Sequence, residues 1–173
     1  MALYKRESSK PFVRYNAKAG RWYFQDEEVK SPVFVVDFES VKKAWMFYKE
    51  GQAPDVVEFP SIDAQVEKPS ENHKLGLILN LYSEKLFGGD GVVEFSSNSS
   101  ITCGAISDLY EEYEAGANDN KGKLPVVKAG DAEPISGQYG TNYKPVFTID
   151  KWVDRPAAFD GAGEAPADSG SEF

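Results

Sequence analysis

Short runs of β-branched and aromatic residues alternate with turn formers over most of the chain, which predicts a mainly β protein. Residues 16–20 read as a turn, and residues 21–24 as a short strand after it. Residues 26–30 form a charged loop, and 33–38 a strand rich in Val and Phe. Residues 41–49 fit two patterns. A strand would put Val41, Lys43, Trp45, Phe47 and Lys49 on one face, whereas a helix would be capped by Ser40 and ended by Gly51. The adjacent aromatics and Trp45 favour the strand. Residues 52–70, with three prolines, are a long connection.

Residues 74–87 read as a long strand, 88–91 as a glycine hairpin turn, and 92–95 as the returning strand. Ser100 or Thr102 caps a helix in which Ile106, Leu109, Tyr110 and Tyr113 recur at helical spacing, and Gly116 ends it. Strands at 124–128 and 144–153 complete the set, with Pro145 at a strand start or edge. Three strands, a helix and two strands match the order of the five-stranded oligonucleotide/oligosaccharide-binding (OB) barrel, whose helix lies between strands three and four. The expected organisation is a basic arm with an extra strand over 1–24, an OB-like barrel over 25–159, and a disordered acidic tail over 160–173.

Charge sharpens this picture. The formal net charge is -9, against a simple duplex-DNA reader, but the two ends differ. Residues 1–24 carry six basic residues and one acid, while 160–173 carry four acids and no base. Cys103 is the one cysteine, so no internal disulfide forms and a reducing cytoplasm is expected. The first residues lack the apolar stretch of a signal peptide, and the apolar runs are too short to span a bilayer, so no membrane partner is expected.

Single-stranded nucleic acid needs cations for its phosphates and flat rings for its exposed bases. The chain interleaves the two types in Arg14-Tyr15, Arg21-Trp22-Tyr23, Lys43 with Trp45, and Tyr48-Lys49. Tyr82 with Lys85, Tyr143-Lys144, and Lys151-Trp152 with Arg155 continue the series. Phe34, Phe38, Phe59, Phe95 and Phe147 are assigned instead to the core, and Tyr110 and Tyr113 to packing of the helix on the barrel. Trp45, Tyr23 and Trp152 are the leading stacking candidates.

The tail, DGAGEAPADSGSEF, is too poor in large apolar residues to offset the entropy of ordering. Its last residues, DSGSEF, resemble the acidic, aromatic-terminated tails of bacterial and short-tailed-phage single-stranded DNA-binding proteins. The segments GKLPVV, NYKPVFTIDKWVDRPAAF and GGDGVVEF resemble small phage-encoded proteins of the same replication class. The resemblance implies an OB fold and a role in DNA replication or recombination in a host bacterial cytoplasm. It also implies a tail, through Asp168, Glu172 and Phe173, that recruits replication or recombination proteins. Glu172 stands where the usual tail has proline, and the acids are sparser. A homodimer is left open.

No enzyme and no cofactor are expected. His73 and Cys103 are the sole residues of their types and cannot build a zinc site, and the glycine run 88–91 lacks the lysine and helix of a phosphate loop. His73 reads as a bystander in a polar loop. Two rivals are a structural or protein-interaction module, such as a virion component or host-factor inhibitor, and a magnesium nuclease built on Asp37 and Glu39.

Overall fold

The computed structural model describes residues 11–48, 51–89, 91–138 and 140–160; the tail residues Asp168, Glu172 and Phe173, and Lys49, lie outside these. The strands are β1 (Val13–Asn16), β2 (Arg21–Phe24), β3 (Glu27–Val29), β4 (Val33–Phe47), β5 (Asp55–Glu58) and β6 (Lys74–Tyr82). A short helix α1 (Glu84–Phe87), β7 (Val92–Ser97) and the main helix α2 (Ser100–Ala117) follow. Then come β8 (Lys123–Ala129), β9 (Glu133–Gly137), β10 (Gly140–Lys144), β11 (Phe147–Asp154) and a 3-10 turn (Ala157–Asp160). The chain is mainly β, as expected.

The main sheet is antiparallel in the order β11-β8-β4-β6-β7, with β5 added to the far half of β4. β4 is one long strand through the region that could have been helical. Its first residues pair with β8, its last with β5, and both halves pair with β6. Between Asp37 and Lys42 it advances five residues while β6 moves from Asn80 to Ile78. Such a bulge bends the strand, and the odd offset turns Lys43, Trp45 and Phe47 to the face shared with Leu77 and Leu79.

Among the described residues no sheet closes on itself: β7 and β11 are not paired with one another. Side chains do the joining. Trp22, 5% exposed, lies 5.3 Å from Phe95 on β7, 5.9 Å from Phe147 on β11 and 5.8 Å from Phe34 on β4, centroid to centroid. Burying a ring of this size stabilises through area and edge-to-face contact together. The core around it draws on Phe34, Val36, Phe38, Leu79, Leu81, Val93, Phe95 and Val127.

Several local features differ from the sequence expectations. The charged loop after β2 is a two-residue hairpin, because Gln25 and Asp26 take the positive φ values (51° and 66°) of a type I′ turn. The boundary expected at residue 24 therefore falls between β2 and β3 of one three-stranded sheet. The long strand expected to reach Phe87 ends at Tyr82, where Ser83 caps α1 by accepting from the Leu86 N–H. Residues 144–153 split into β10 and β11 around Pro145. Ser99, not Ser100 or Thr102, caps α2. Gly116 lies inside the helix rather than after it: a Cβ there would meet the Trp152 ring at 2.6 Å, so glycine permits that ring to lie against the last turn.

Candidate nucleic-acid interface

The residues proposed to hold a strand fall into separate groups, and two of them turn inward. Trp22 is core. Tyr82 is 9% exposed, edge-on to Phe159, and its hydroxyl donates to Glu84. A buried ring has no open face for a base, so neither serves as a stacking platform in this conformation.

A third residue is occupied electrostatically. Both oxygens of Asp37, 1% exposed, accept from the Arg155 guanidinium at 2.7 and 3.1 Å. Arg155 Nε also donates to Asp160 (3.0 Å), Glu39 lies at 3.4 Å, and the guanidinium sits 5.4 Å over the Phe159 ring. The hydrogen bonds to Asp37 above all keep Arg155 charged. This fork-to-fork pairing uses the cation on a protein carboxylate. Asp37 Oδ1 also accepts from the Glu39 N–H (3.1 Å), so the carboxylate named in the nuclease reading is buried and engaged within the fold.

The N-terminal group comes together. On β1 and β2, Val13, Tyr15, Trp22 and Phe24 face inward, while Arg14 and Tyr23 are cross-strand partners on the other face, the guanidinium 5.1 Å over the ring. Arg21 is exposed with a loose partner, Glu28, at 3.7 Å. This sheet is fastened to β10. The Tyr15 hydroxyl donates to the Tyr143 carbonyl (2.7 Å) and the Tyr143 N–H donates to the Ala17 carbonyl (2.7 Å). Gly20, at φ 67°, allows Tyr143 within 3.0 Å of where a Cβ would stand. Burial raises the Tyr15 hydroxyl pKa to about 12. Lys144, next in β10, pairs with Asp108 of α2 at 3.2 Å. Arg14, Arg21 and Tyr23 thus share the outer face of this sheet, while Tyr143 packs at its Gly20 turn.

The second group lies at the far end of β4. Lys43 and Trp45 share a face, with Leu77 and Leu75 as their cross-strand partners on β6. The Trp45 indole N–H donates to the Val66 carbonyl (2.8 Å), and the ring lies 5.9 Å from Phe59. Both residues are half-buried, Leu75 is exposed, and Tyr48 is 49% exposed just beyond. Beside them the β4 bulge and α2 leave a cleft of about 200 Å³, lined by Phe38, Val41, Lys43, Ile62, Leu77, Ile106, Ser107 and Tyr110. A second cleft, about 180 Å³, is lined in part by Asp108, Glu112, Glu133 and Lys144.

The third group is Trp152, which stacks on Tyr113 (5.7 Å, 25°); Tyr113 in turn stacks on Tyr110 (5.9 Å, 30°). These tyrosines do pack α2 on the sheet, against Phe38, and all three rings stay half-buried. Burial first, then nearby carboxylates, raise the pKa of Tyr110 and Tyr113. Lys151, next to Trp152, is exposed on β11, and Lys85 is exposed on α1.

His73, expected to have no part in catalysis, is tied into the fold. It is 4% exposed, with Nδ1 2.6 Å from Ser70 Oγ, Nε2 3.2 Å from Asp55 Oδ2, and its ring edge-on to Phe47. Ser70 Oγ also accepts from the Asn72 N–H, so the trio closes a turn and ties it to β5. Nothing in a lone histidine before a strand indicated this, because Asp55 lies 18 residues away.

Comparison with protein-family models, with curated proteins and with solved structures finds no match to this chain.

Proposed function

We propose that this chain binds single-stranded DNA with little base preference, in replication or recombination, and that residues 161–173 recruit partner proteins. The observation that supports the reading is the cation–ring pair of Arg14 and Tyr23, with Arg21 on the same outer face of the N-terminal sheet that docks on β10. The pairing of Arg21 with Glu28 is exposed and weak, so a phosphate can displace it. Strand order supports an OB-like architecture. With β4, β6 and β7 as strands one to three, α2 next, and β8 and β11 as strands four and five, the sheet runs 5-4-1-2-3. Trp22 then fills the seam that hydrogen bonds leave open. In this reading the chain is not an enzyme and needs no cofactor.

The test is anisotropy of a labelled dT oligomer at two salt concentrations. Binding weakens steeply with salt through counterion release. Arg14→Ala with Tyr23→Ala costs about tenfold, the lower range of one stacked base. Loss of residues 161–173 strengthens binding and abolishes partner capture. Salt-independent or undetectable binding removes the reading and leaves a protein-interaction module, which the acids of the Asp108–Glu112–Glu133 cleft would suit through a basic partner.

A further inference from the structure

Among the described lysines two are half-buried, Lys43 and Lys144. Lys144 has its carboxylate, Asp108. Lys43 has none: among the described residues its ammonium forms no ion pair and no hydrogen bond. Its neighbour Lys42 points to the other face and takes Glu58 (3.2 Å). Lys43 borders a cleft whose lining is largely apolar and holds no acid, the carboxylates of Glu114 and Asp63 acting on Tyr110 from outside it. A cation drawn partly out of water without a partner is costly to the fold, and an anion at the mouth would offset that cost.

The remaining walls specify the rest of the ligand. Phe38, Leu77 and Ile106 form an apolar floor, and Tyr110, last ring of the Trp152–Tyr113–Tyr110 stack, forms a side. At about 200 Å³ the space is smaller than the roughly 300–1,000 Å³ of sites for drug-sized ligands, and suits one planar ring. Ser107 supplies one hydroxyl and so little base discrimination.

We infer that this cleft takes a single splayed nucleobase of a bound strand, with that nucleotide's phosphate on Lys43. The inference rests on the single-stranded DNA reading and deepens it: one base leaves the stack and is held in a pocket, instead of every base lying on an open face. Trp45, two residues along the same face of β4, stands where a neighbouring nucleotide would pass.

The test uses the full chain with two probes of equal length, a dT oligomer and an abasic oligomer with the same phosphates. Wild type should prefer dT by more than about fivefold, the lower limit expected for a single stacked base. Ile62→Trp, which fills the cleft and leaves Lys43 in place, should reduce that preference by at least about fivefold, the share of one base, while binding of the abasic oligomer persists. Lys43→Met should lower dT affinity about tenfold and melt at or above the wild-type temperature, since an unpaired cation has been removed. If both variants bind dT as wild type does, the cleft is not a base site, although the strand-binding reading stands. If Lys43→Met melts lower with unchanged dT affinity, Lys43 serves the fold and the inference is overturned. Failure of wild type to bind either probe removes the reading beneath it.

Discussion

Arg21-Trp22 and Trp152 with Arg155 look alike in sequence, each a tryptophan near an arginine, yet the fold uses opposite halves of them. At the N-terminal flank the ring is spent: Trp22 joins β4, β7 and β11 in the core, and Arg21 stays outside with a loose carboxylate partner. At the C-terminal flank the cation is spent: Arg155 neutralises the buried Asp37, while Trp152 stays half-buried on Tyr113. Adjacency of cation and ring therefore does not identify a binding surface. What bears on it is which member is drawn from water without an internal partner, and by that criterion Lys43 stands out among the described lysines.

The contrast can be broken at its strongest point first. Trp22→Ala should cost about 4 kcal/mol, the usual range for a large buried aromatic, because three strands lose a shared neighbour. Arg21→Ala beside it should stay within about 0.5 kcal/mol, as surface substitutions do. Urea denaturation of the two variants decides; comparable losses would erase the distinction between ring and cation on this flank.

At the other flank Arg155→Ala should cost about 3 kcal/mol, since it leaves Asp37 charged and buried. Arg155→Met combined with Asp37→Leu should regain much of that loss, because neither charge then remains inside. A double variant as unstable as Arg155→Ala would mean that the 3-10 turn, and not the ion pair, holds this flank.

The smallest effect concerns Tyr15, which fastens the N-terminal sheet to β10. Its folded pKa is raised from about 10 to about 12, so the folded state favours the neutral hydroxyl. That contribution is complete below pH 10 and is lost as pH rises through about 12. The urea midpoint should fall over this window, and Tyr15→Phe should make the fall shallower. An identical fall in the variant would assign it to Tyr110, Tyr113 or other groups.

Much of this was legible along the chain. The β-branched runs determined β4, β6, β7 and β8, and the spacing of Ile106, Leu109 and Tyr113 determined α2, because burial patterns there follow local periodicity. The weaker strands β1, β3, β5 and β9 were not legible: each is only three to five residues long, and forms because a partner strand presents itself. The sequence also supplied the list of cations and rings from which the proposed DNA interface is drawn. Only the tertiary structure decided which of them are available. Partnering is set by residues far apart in the chain, 118 positions from Asp37 to Arg155, and no local pattern records such distances. The bulge in β4, which turns Lys43 toward an apolar cleft, likewise becomes visible only in its register with β6.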